Sequence, residues 1–485
     1  MKVSISYPPL ESDKGVPLLT QNRQFQWFSN PTYIYPMVPA YAASYLKSLG
    51  YEVFWDDGIA EELTFAQWME RLVHEKPDLI AIESKTPVIK RHWRIVNDLK
   101  SRLSSSRIVL MGDHVTAMPE ETMNVCEVDY VLTGGDYDFG LAELVRFVED
   151  GKNAPASVWY RDAQGKPRKG IDNLPRPSLE DMPFIDRDLT KWGLYSEKNG
   201  NFKYLPGTYT MAGRDCWWGR CAFCSWTTLY SGQSFTSVSP QRLLDEVGIL
   251  IEKYAVREIF DDTGCFPKGE WLREFCRGMV DRGYHKKVVM GCNMRVNALT
   301  QEEWRLMGKA NFRFVLIGLE SMTQSTLDHL NKGIKVEQIE QTMRMAKKAG
   351  LEPHITTMVG YPWETKQEAE KTIFFAKQMF INGHIDSLQA TIVVPYPGTP
   401  MFDEARKNGW LLTEDWDRYD MRESVWKSEV GTDEVKCFTQ ELYRAAMSPR
   451  FVLRKLGRIR SMDDMKFLGR AGIKVLGHLR DFARV

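Results

Sequence analysis

Two series of short apolar runs, each run followed by an amphipathic segment, constrain the fold of this chain most strongly. In residues 1–150 the apolar runs are KVSISYPP, YEVFWDD, DLIAIES, RIVLMGD and VDYVLTGG, and helix-like segments such as TFAQWMERLVHEK separate them. Strands that alternate with helices form parallel sheets covered by helices on both faces. The pattern therefore predicts an α/β fold with a doubly wound parallel sheet over residues 1–150.

A second alternating series begins at residue 206. Its predicted strands are GTYTMAGRD, VREIFDD, KVVMGCNMRV, FRFVLIGLES, PHITTMVGY and SLQATIVVPY. Six such units are fewer than the eight of a closed barrel, so residues 206–410 are expected to form a partial (β/α) barrel. Residues 151–205 contain a predicted hairpin and a proline-rich connector and are interpreted as a linker. Residues 411–485 are predicted to be a helical tail.

Length and composition agree with a chain of several globular domains. At roughly 150 residues per domain, 485 residues predict about three domains. The 64 basic and 64 acidic residues balance, which argues against a nucleic-acid-binding protein that depends on net positive charge. No apolar run is long enough for a membrane span, and the first residues lack the apolar region of a signal peptide. We therefore expect a cytoplasmic protein whose eight cysteines are not paired in disulfides.

Three cysteines lie close together in the segment GRDCWWGRCAFCSW, just after the first predicted barrel strand. Cys216, Cys221 and Cys224 place three thiolates on one short loop, which suits a [4Fe–4S] cluster with one open iron. A zinc site completed by a distant His or Cys is the alternative, although structural zinc sites usually use two separated pairs of ligands. The scattered cysteines are expected to be small buried side chains; they are Cys126, Cys265, Cys276, Cys292 and Cys437.

The cysteine loop at the first strand of a six-unit partial barrel resembles the radical S-adenosylmethionine (radical SAM) superfamily. With residues 1–150 as a cobalamin-binding Rossmann-like domain, the chain is similar to the cobalamin-binding branch of that superfamily. The common spacing is Cys-x3-Cys-x2-Cys, whereas four residues separate Cys216 from Cys221. Gly219 can absorb the extra residue, because glycine adopts backbone conformations that side chains disfavour. The resemblance implies a [4Fe–4S] cluster, S-adenosylmethionine (SAM) and cobalamin as cofactors.

The resemblance also implies that SAM binds at the carboxyl ends of the barrel strands. Aromatic and apolar side chains would cover the adenine, carboxylates would bind the ammonium and the ribose, and an arginine would bind the carboxylate. A glycine would let the backbone approach the cofactor. The residues expected in these roles are Phe223, Val394 and Pro395 for adenine; Asp261 and Asp262 for the ammonium; Arg295 and Asn297 for the carboxylate; Glu320 and Ser321 for ribose; and Gly360 for close approach.

Cobalamin is expected at the strand ends of the amino-terminal sheet, where MGDHVTAMPEE and LTGGDYDF resemble the loops of the cobalamin-binding branch. No GxGxxG or P-loop pattern supports a nucleotide site instead. Small and polar residues there would let a corrin approach and would hydrogen-bond it. His114 follows the fourth strand rather than the first, so we expect it to line the corrin or its tail and cobalt to lack a protein histidine. The expected residues are Ser84, Thr86, Gly112, Asp113, His114, Thr116, Gly134 and Gly135.

The resemblance implies reductive cleavage of SAM to a 5′-deoxyadenosyl radical, followed by methyl transfer from methylcobalamin to an unactivated carbon. Ring closure or rearrangement with the same cofactors but without methylation is the alternative. A non-catalytic iron–sulfur or cobalamin sensor is a third hypothesis, for which the sequence contains no appended DNA-binding or signalling module. We expect a small-molecule or lipid-like substrate, an electron donor such as a flavodoxin or ferredoxin, and no nucleic-acid partner.

The tail has two interpretations. Residues 441–485 contain 11 basic and 4 acidic residues, and apolar positions recur at helical spacing in RFVLRKLGRIR and GIKVLGHLRDFARV. One interpretation is an amphipathic segment that packs on the barrel and leaves its charges in water. The other is peripheral attachment to an anionic membrane that supplies a lipid-like substrate. The sequence does not distinguish them.

Overall fold

The computed structural model describes residues 1–17, 26–151, 156–172, 177–230, 235–445, 448–457 and 459–483. It contains two mainly parallel sheets, helices that connect their strands, and a helical tail, which confirms the predicted α/β class. Parts of the predicted hairpin and connector, at 152–155 and 173–176, lie outside the described residues, as do positions 446–447, 458 and 484–485 of the tail.

The strands of the amino-terminal region are β1 (Lys2–Tyr7), β2 (Val16–Pro17), β3 (Trp27–Phe28), β4 (Glu52–Asp57), β5 (Leu79–Glu83), β6 (Arg107–Met111), β7 (Tyr130–Leu132), β8 (Val158–Arg161) and β9 (Pro167–Lys169). Its helices are α1 (Met37–Ser48), α2 (Phe65–Glu75), α3 (Ile89–Arg102), α4 (Asp113–Ala117), α5 (Pro119–Val125) and α6 (Tyr137–Asp150). Helices α4 and α5, between β6 and β7, were not predicted from the sequence.

The seven-stranded sheet has the order β4-β1-β5-β6-β7-β8-β9. The first five of these strands are parallel, and β8 and β9 add an antiparallel hairpin at one edge. Strand β5 is buried along its whole length, as expected for a strand covered by helices on both faces. The chain leaves β1 toward β4 on one side and later returns to β5 on the other. Such a switch in direction is where doubly wound sheets bind ligands.

The second sheet confirms the six-stranded partial barrel, since its order is β10-β13-β14-β15-β16-β17 and every pairing is parallel. Its strands are β10 (Gly207–Thr210), β13 (Glu258–Asp261), β14 (Val289–Met294), β15 (Phe312–Glu320), β16 (Glu352–Val359) and β17 (Ser387–Ile392), and β11 (Gly213–Arg214) with β12 (Thr236–Ser237) forms a separate ladder. The helices are α7 (Trp226–Leu229), α8 (Pro240–Glu252), α9 (Glu270–Asp281), α10 (Gln301–Lys309), α11 (Gln324–His329), α12 (Val336–Lys348), α13 (Lys366–Asn382) and α14 (Pro400–Lys407).

The tail consists of α15 (Thr432–Ala445), α16 (Pro449–Leu456) and α17 (Met462–Ala483). It closes the amino-terminal end of the barrel. Asp464 of α17 pairs with Lys203 at 2.5 Å, and the Phe467 ring lies 5.7 Å from the guanidinium of Arg313, the second residue of β15. Arg313 in turn pairs with Glu352, the first residue of β16, at 2.7 Å. Among the described residues, no helix combines the length and apolar character needed to cross a membrane.

Candidate active site

A cavity of about 900 Å³ runs through the barrel interior. At the carboxyl ends of the strands its wall includes the three clustered cysteines, and at the opposite end it includes residues of α16 and α17. Lys85, Thr86, Pro87 and Asp113, from the amino-terminal sheet, also line it. One space is therefore shared by the cysteine loop, the strand ends of the first sheet and the tail.

Backbone hydrogen bonds hold the cysteine loop on both sides. The Cys216 amide donates to the Asp215 carboxylate at 2.6 Å. The Ala222 amide donates to the carbonyl of Leu330, and the Ala222 carbonyl accepts from the Met401 amide, both at 3.0 Å. Gly219 has φ 54°, in the left-handed region, which confirms the predicted way of fitting the extra residue.

The three thiols have different electrostatic surroundings. A hydrogen bond with the Cys265 thiol, together with the amides of Gly219 and Trp218, lowers the pKa of Cys216 to about 6. Burial raises the pKa of Cys224 to about 12 and also raises that of Cys221. A bound metal centre deprotonates thiol ligands outright. The difference therefore concerns the protein before a cluster is assembled.

Two of the scattered cysteines have surroundings that the sequence did not predict. Cys265 is buried as predicted, but its thiol contacts that of Cys216, and the two residues form an isolated bridge between their backbones. Its position four residues after β13 was the only sequence signal for this contact. Cys437 is exposed, on the outer side of α15, so its predicted burial is wrong.

Two cations lie beside the thiols. The Arg295 guanidinium is 4.0 Å from the Cys221 sulfur and 4.2 Å from the centre of the Trp218 ring. Lys332, which the sequence analysis missed, donates to the Glu320 carboxylate at 2.6 Å, and both are buried. Burial alone lowers the pKa of Lys332, but the Glu320 and Cys221 charges raise it above its usual value. These cations can offset the negative charge of a thiolate-bound cluster.

Four predicted SAM-binding residues line the cavity: Phe223, Arg295, Glu320 and Val394. The remaining six do not line it. Asn297 is exposed and its amide donates to Thr342, while Ser321 is buried and accepts from the Thr323 amide. Pro395 is buried beside Val394. The strand periodicity located these ends correctly but did not show which residue of each pair faces inward.

Asp261 is fully buried and is occupied by protein donors. Its carboxylate accepts from the Thr210 hydroxyl at 2.9 Å, from the Ala212 amide at 2.8 Å and from the Thr263 amide at 3.2 Å. Burial raises its pKa to about 6 despite these bonds. Asp262 is buried as well and is not part of the cavity wall. This placement gives the expected ammonium role of the two aspartates no support.

Gly360 has φ 92° and its backbone is used within the protein. Its amide donates to the Glu364 carboxylate at 2.9 Å, and its carbonyl accepts from the Trp426 indole at 2.8 Å. The glycine therefore permits a turn after β16. The expected close approach of this backbone to SAM receives no support from these contacts.

Some of the residues expected to bind cobalamin line the cavity, and the others contact protein. Thr86 and Asp113 line the cavity opposite the cysteine loop. At Gly112, with φ 127°, a Cβ atom would lie 2.0 Å from the Ser84 carbonyl oxygen, so this glycine serves backbone packing. The Thr116 hydroxyl donates to the Gly112 carbonyl at 2.6 Å and accepts from the Gly134 amide at 3.1 Å.

Gly135 makes room for the barrel rather than for a ligand. A Cβ atom there would lie 2.4 Å from the Tyr230 ring, and the Tyr230 hydroxyl donates to the Gly135 carbonyl at 3.1 Å. Nearby, Arg214 pairs with Asp138 at 2.6 Å, and both side chains are buried. The two halves of the protein are therefore in direct contact next to the cysteine loop.

His114 is enclosed by protein and does not line the cavity. Its ring lies 5.2 Å from the ring of Trp416, its Nδ1 is 3.2 Å from the Thr86 hydroxyl, and its Nε2 is 3.4 Å from the Glu121 carboxylate. These contacts give the expectation that His114 lines a corrin no support.

Residues 212–376 match the family model described as the radical SAM superfamily. This match covers most of the partial barrel, including the cysteine loop. It is 29% identical over 406 residues to an uncharacterized methyltransferase of Pyrococcus horikoshii, covering 82% of this chain and 84% of that protein. It is 25% identical over 383 residues to the anaerobic magnesium-protoporphyrin IX monomethyl ester cyclase of Rubrivivax gelatinosus, covering 76% and 66%.

The fold of this protein also resembles that of a solved structure. The cobalamin-dependent SAM radical enzyme OxsB, solved with aqua-cobalamin and SAM bound, superposes with a TM-score of 0.70 at 14% identity, covering 98% of this chain and 71% of OxsB. The resemblance extends over both sheets and the tail, so the combination of a doubly wound sheet with the partial barrel is a shared fold.

The cavity fits the cofactors of this superfamily at the cysteine loop. Three thiols, two cations and an aromatic ring, that of Phe223, surround one end of it. Within the described residues, no three His, Cys, Asp or Glu side chains are grouped so that they could hold a single metal ion. For a corrin, Thr86, Pro87 and Asp113 offer a wall that faces the loop, whereas Gly112 and Gly135 are filled by protein.

Proposed function

We propose that this protein is a cobalamin-dependent radical SAM methyltransferase that transfers a methyl group to an unactivated carbon. One observation carries the proposal. The cavity that contains Cys216, Cys221 and Cys224 is also lined by Thr86 and Asp113 of the amino-terminal sheet. A radical generated at the loop and a methyl carrier held at the sheet would therefore meet one substrate in one space.

When bound, the cluster, SAM and cobalamin would supply electron transfer, radical formation and a methyl carrier. The chain's own residues hold and enclose these groups. The cysteines would bind the cluster, Arg295 and Lys332 would balance its charge and that of SAM, and Phe223 and Val394 would contact the adenine. Tyr396 also lines the cavity; its hydroxyl donates to the Tyr419 carbonyl at 3.0 Å, and burial raises its pKa well above the usual value.

Methyl transfer is favoured over ring closure by the relatives. The methyltransferase of Pyrococcus horikoshii is 29% identical, against 25% for the cyclase, and it covers more of both chains. We also propose a low-potential electron donor of the flavodoxin or ferredoxin type. A cluster held by thiolates needs a reducing compartment, which supports the cytoplasm as the location.

A half-reaction tests the methyl-carrier role without knowledge of the substrate. Anaerobically reconstituted full-length protein, supplied with cobalamin, a reductant and SAM labelled in its methyl group, should form labelled methylcobalamin and S-adenosylhomocysteine. Release of 5′-deoxyadenosine without either product would instead favour the ring-forming alternative.

Cysteine variants test the cluster in the same preparation. Cys216→Ala should lose 5′-deoxyadenosine formation and the change in the electron paramagnetic resonance spectrum on SAM addition, because a cluster ligand is missing. Cys276→Ala is the matched control, since Cys276 is buried in α9 and does not line the cavity. Equal activity of the two variants would contradict the assignment of the cluster.

A further inference from the structure

The tail presents a row of exposed apolar side chains. On α17, Met462, Met465 and Ile473 expose 65%, 53% and 63% of their surface, and on α16, Leu453 and Leu456 expose 68% and 53%. The α17 positions are three and eight residues apart, which places them on one side of the helix. These five residues are called the tail surface below. Each of the five is more than half exposed.

The charges beside the tail surface have one sign. Arg450, Arg460 and Lys466 are exposed and form no ion pair with a described residue. The two acidic residues in the first turn of α17, in contrast, are neutralised by cations outside the tail: Asp463 pairs with Arg257 at 2.6 Å and Asp464 with Lys203 at 2.5 Å. The outer side of the tail is therefore apolar and cationic.

The cavity reaches the protein surface at the same place. Val452 and Leu456 line the cavity and yet expose 40% and 53% of their surface. Further in, the tail contributes Phe451, Phe467, Leu468 and Ala471 to the wall. An apolar passage thus leads from the edge of the tail surface into the barrel.

Two of the three cations that line this end of the cavity are paired with carboxylates. Arg313 pairs with Glu258 and Glu352, and Lys455 with Asp386 at 3.0 Å. The third, Lys474, donates to the Thr32 hydroxyl. The part of the wall that α16 and α17 contribute through Phe451, Val452, Leu456, Phe467, Leu468 and Ala471 is apolar. The occupant that fits is a long hydrocarbon chain.

We propose that the tail surface docks on an anionic phospholipid bilayer and that a long-chain amphiphile enters the cavity from the bilayer beside Val452 and Leu456. Exposed Leu, Met and Ile between unpaired Arg and Lys match the two components of such a surface, acyl chains and anionic headgroups. The docking stands alone, and the substrate class rests on the proposed function.

Vesicle binding tests the docking. Full-length reconstituted protein should sediment with phosphatidylcholine vesicles that contain phosphatidylglycerol, and not with phosphatidylcholine alone. Arg450→Glu/Lys466→Glu should lower the partition coefficient at least about tenfold, because each cation near an anionic surface contributes about 1 kcal/mol. Leu453→Gln/Ile473→Gln should lower it similarly through lost burial.

Matched controls separate the tail from the rest of the surface. Leu412→Gln alters another exposed leucine, 57% exposed, and Lys309→Glu reverses an exposed charge on α10. Both should bind vesicles like the unaltered protein, and all variants should keep their iron content. Tail variants that bind like the controls would overturn the docking. Self-association that the tail variants abolish, without vesicle binding, would assign the surface to a second copy instead.

Uptake of a fluorescent fatty acid, cis-parinaric acid, tests the passage. Its fluorescence should rise on binding, and Ala471→Trp, which fills the wall, should reduce the binding at least severalfold, with Ala471→Phe as a milder second variant. Vesicle binding should be unchanged in both. Docking without uptake would overturn the substrate class while leaving methyl transfer intact, since the half-reaction needs no substrate.

Discussion

Asp138→Asn should destabilise the contact between the two halves of the protein. The Asp138 carboxylate accepts from Arg214 Nη2 at 2.6 Å, and their side chains expose 0% and 5% of their surface. Burial lowers the pKa of Arg214, and the Asp138 charge raises it above the usual value. The guanidinium stays charged in the variant because arginine is not deprotonated in proteins. Removing one partner of a buried pair leaves an uncompensated charge and costs about 3–5 kcal/mol.

The position of Arg214 extends this loss to the active site. It lies two residues before Cys216, and its guanidinium is 5.1 Å from the Tyr41 ring of α1. We therefore expect the variant to unfold at lower urea concentration and to retain less iron after reconstitution. The assay is urea denaturation followed by tryptophan fluorescence, with iron content measured in parallel.

A double variant and a surface pair provide the controls. Asp138→Leu/Arg214→Met should cost less than the sum of the single variants, because it leaves no buried charge unpaired. Glu340→Gln removes the partner of Arg344 in an exposed helical pair, and a loss of about 0.5 kcal/mol or less is expected. The reasoning is refuted if Asp138→Asn costs no more than Glu340→Gln.

Three further predictions concern the site and its supports. Burial raises the pKa of Glu364 to about 7 from its usual 4.5, so the unfolded chain loses this proton first and the free energy of unfolding should fall as pH rises between those values. Glu364→Gln should reduce this slope in denaturation midpoints measured across that range, and Glu340→Gln should not. Glu320→Gln leaves the Lys332 ammonium buried without its carboxylate, so it should lower the free energy of unfolding by about 3–5 kcal/mol. It should also weaken SAM binding in equilibrium dialysis. Normal binding and stability would contradict the role of the pair. Gly135→Ala forces the Tyr230 ring to move and should lower the free energy of unfolding in urea by about 1–3 kcal/mol. The double variant Gly135→Ala/Tyr230→Leu should recover stability. Gly193→Ala should have little effect, because a Cβ atom there meets no neighbour within 4 Å.

The alternation of apolar runs and helices predicted both sheets, because strand and helix periods differ and each strand was separated from the next by a recognisable helix. The same periodicity could not orient the residues that follow a strand. Arg295 and Glu320 face the cavity, whereas Asp261 turns into a hydrogen-bonded turn. The direction of these side chains depends on local backbone geometry, such as φ 64° at Glu320. The apolar periodicity of the sequence carries no information about that geometry.

Contacts between distant segments were equally hidden from sequence patterns. Gly135 looked like a position for a ligand because glycine permits close approach, but Tyr230, from the other half of the protein, takes that space. Lys332 belongs to a loop with no motif of its own and reaches the cysteines only because β15 and α11 bring it there. Such pairs are fixed by packing of the complete chain.

The tail closes the barrel at the end remote from the cysteine loop. Asp463 and Asp464 attach it to Arg257 and Lys203 at one end of the cavity, and the cysteine loop lies at the other. If the proposed passage admits the substrate, reaction chemistry and the choice of the molecule to be modified are encoded in separate stretches of the gene. Mutations confined to residues 449–483 would then change the preferred molecule while the cysteine loop stays intact, which makes these helices the place to begin a redesign of selectivity.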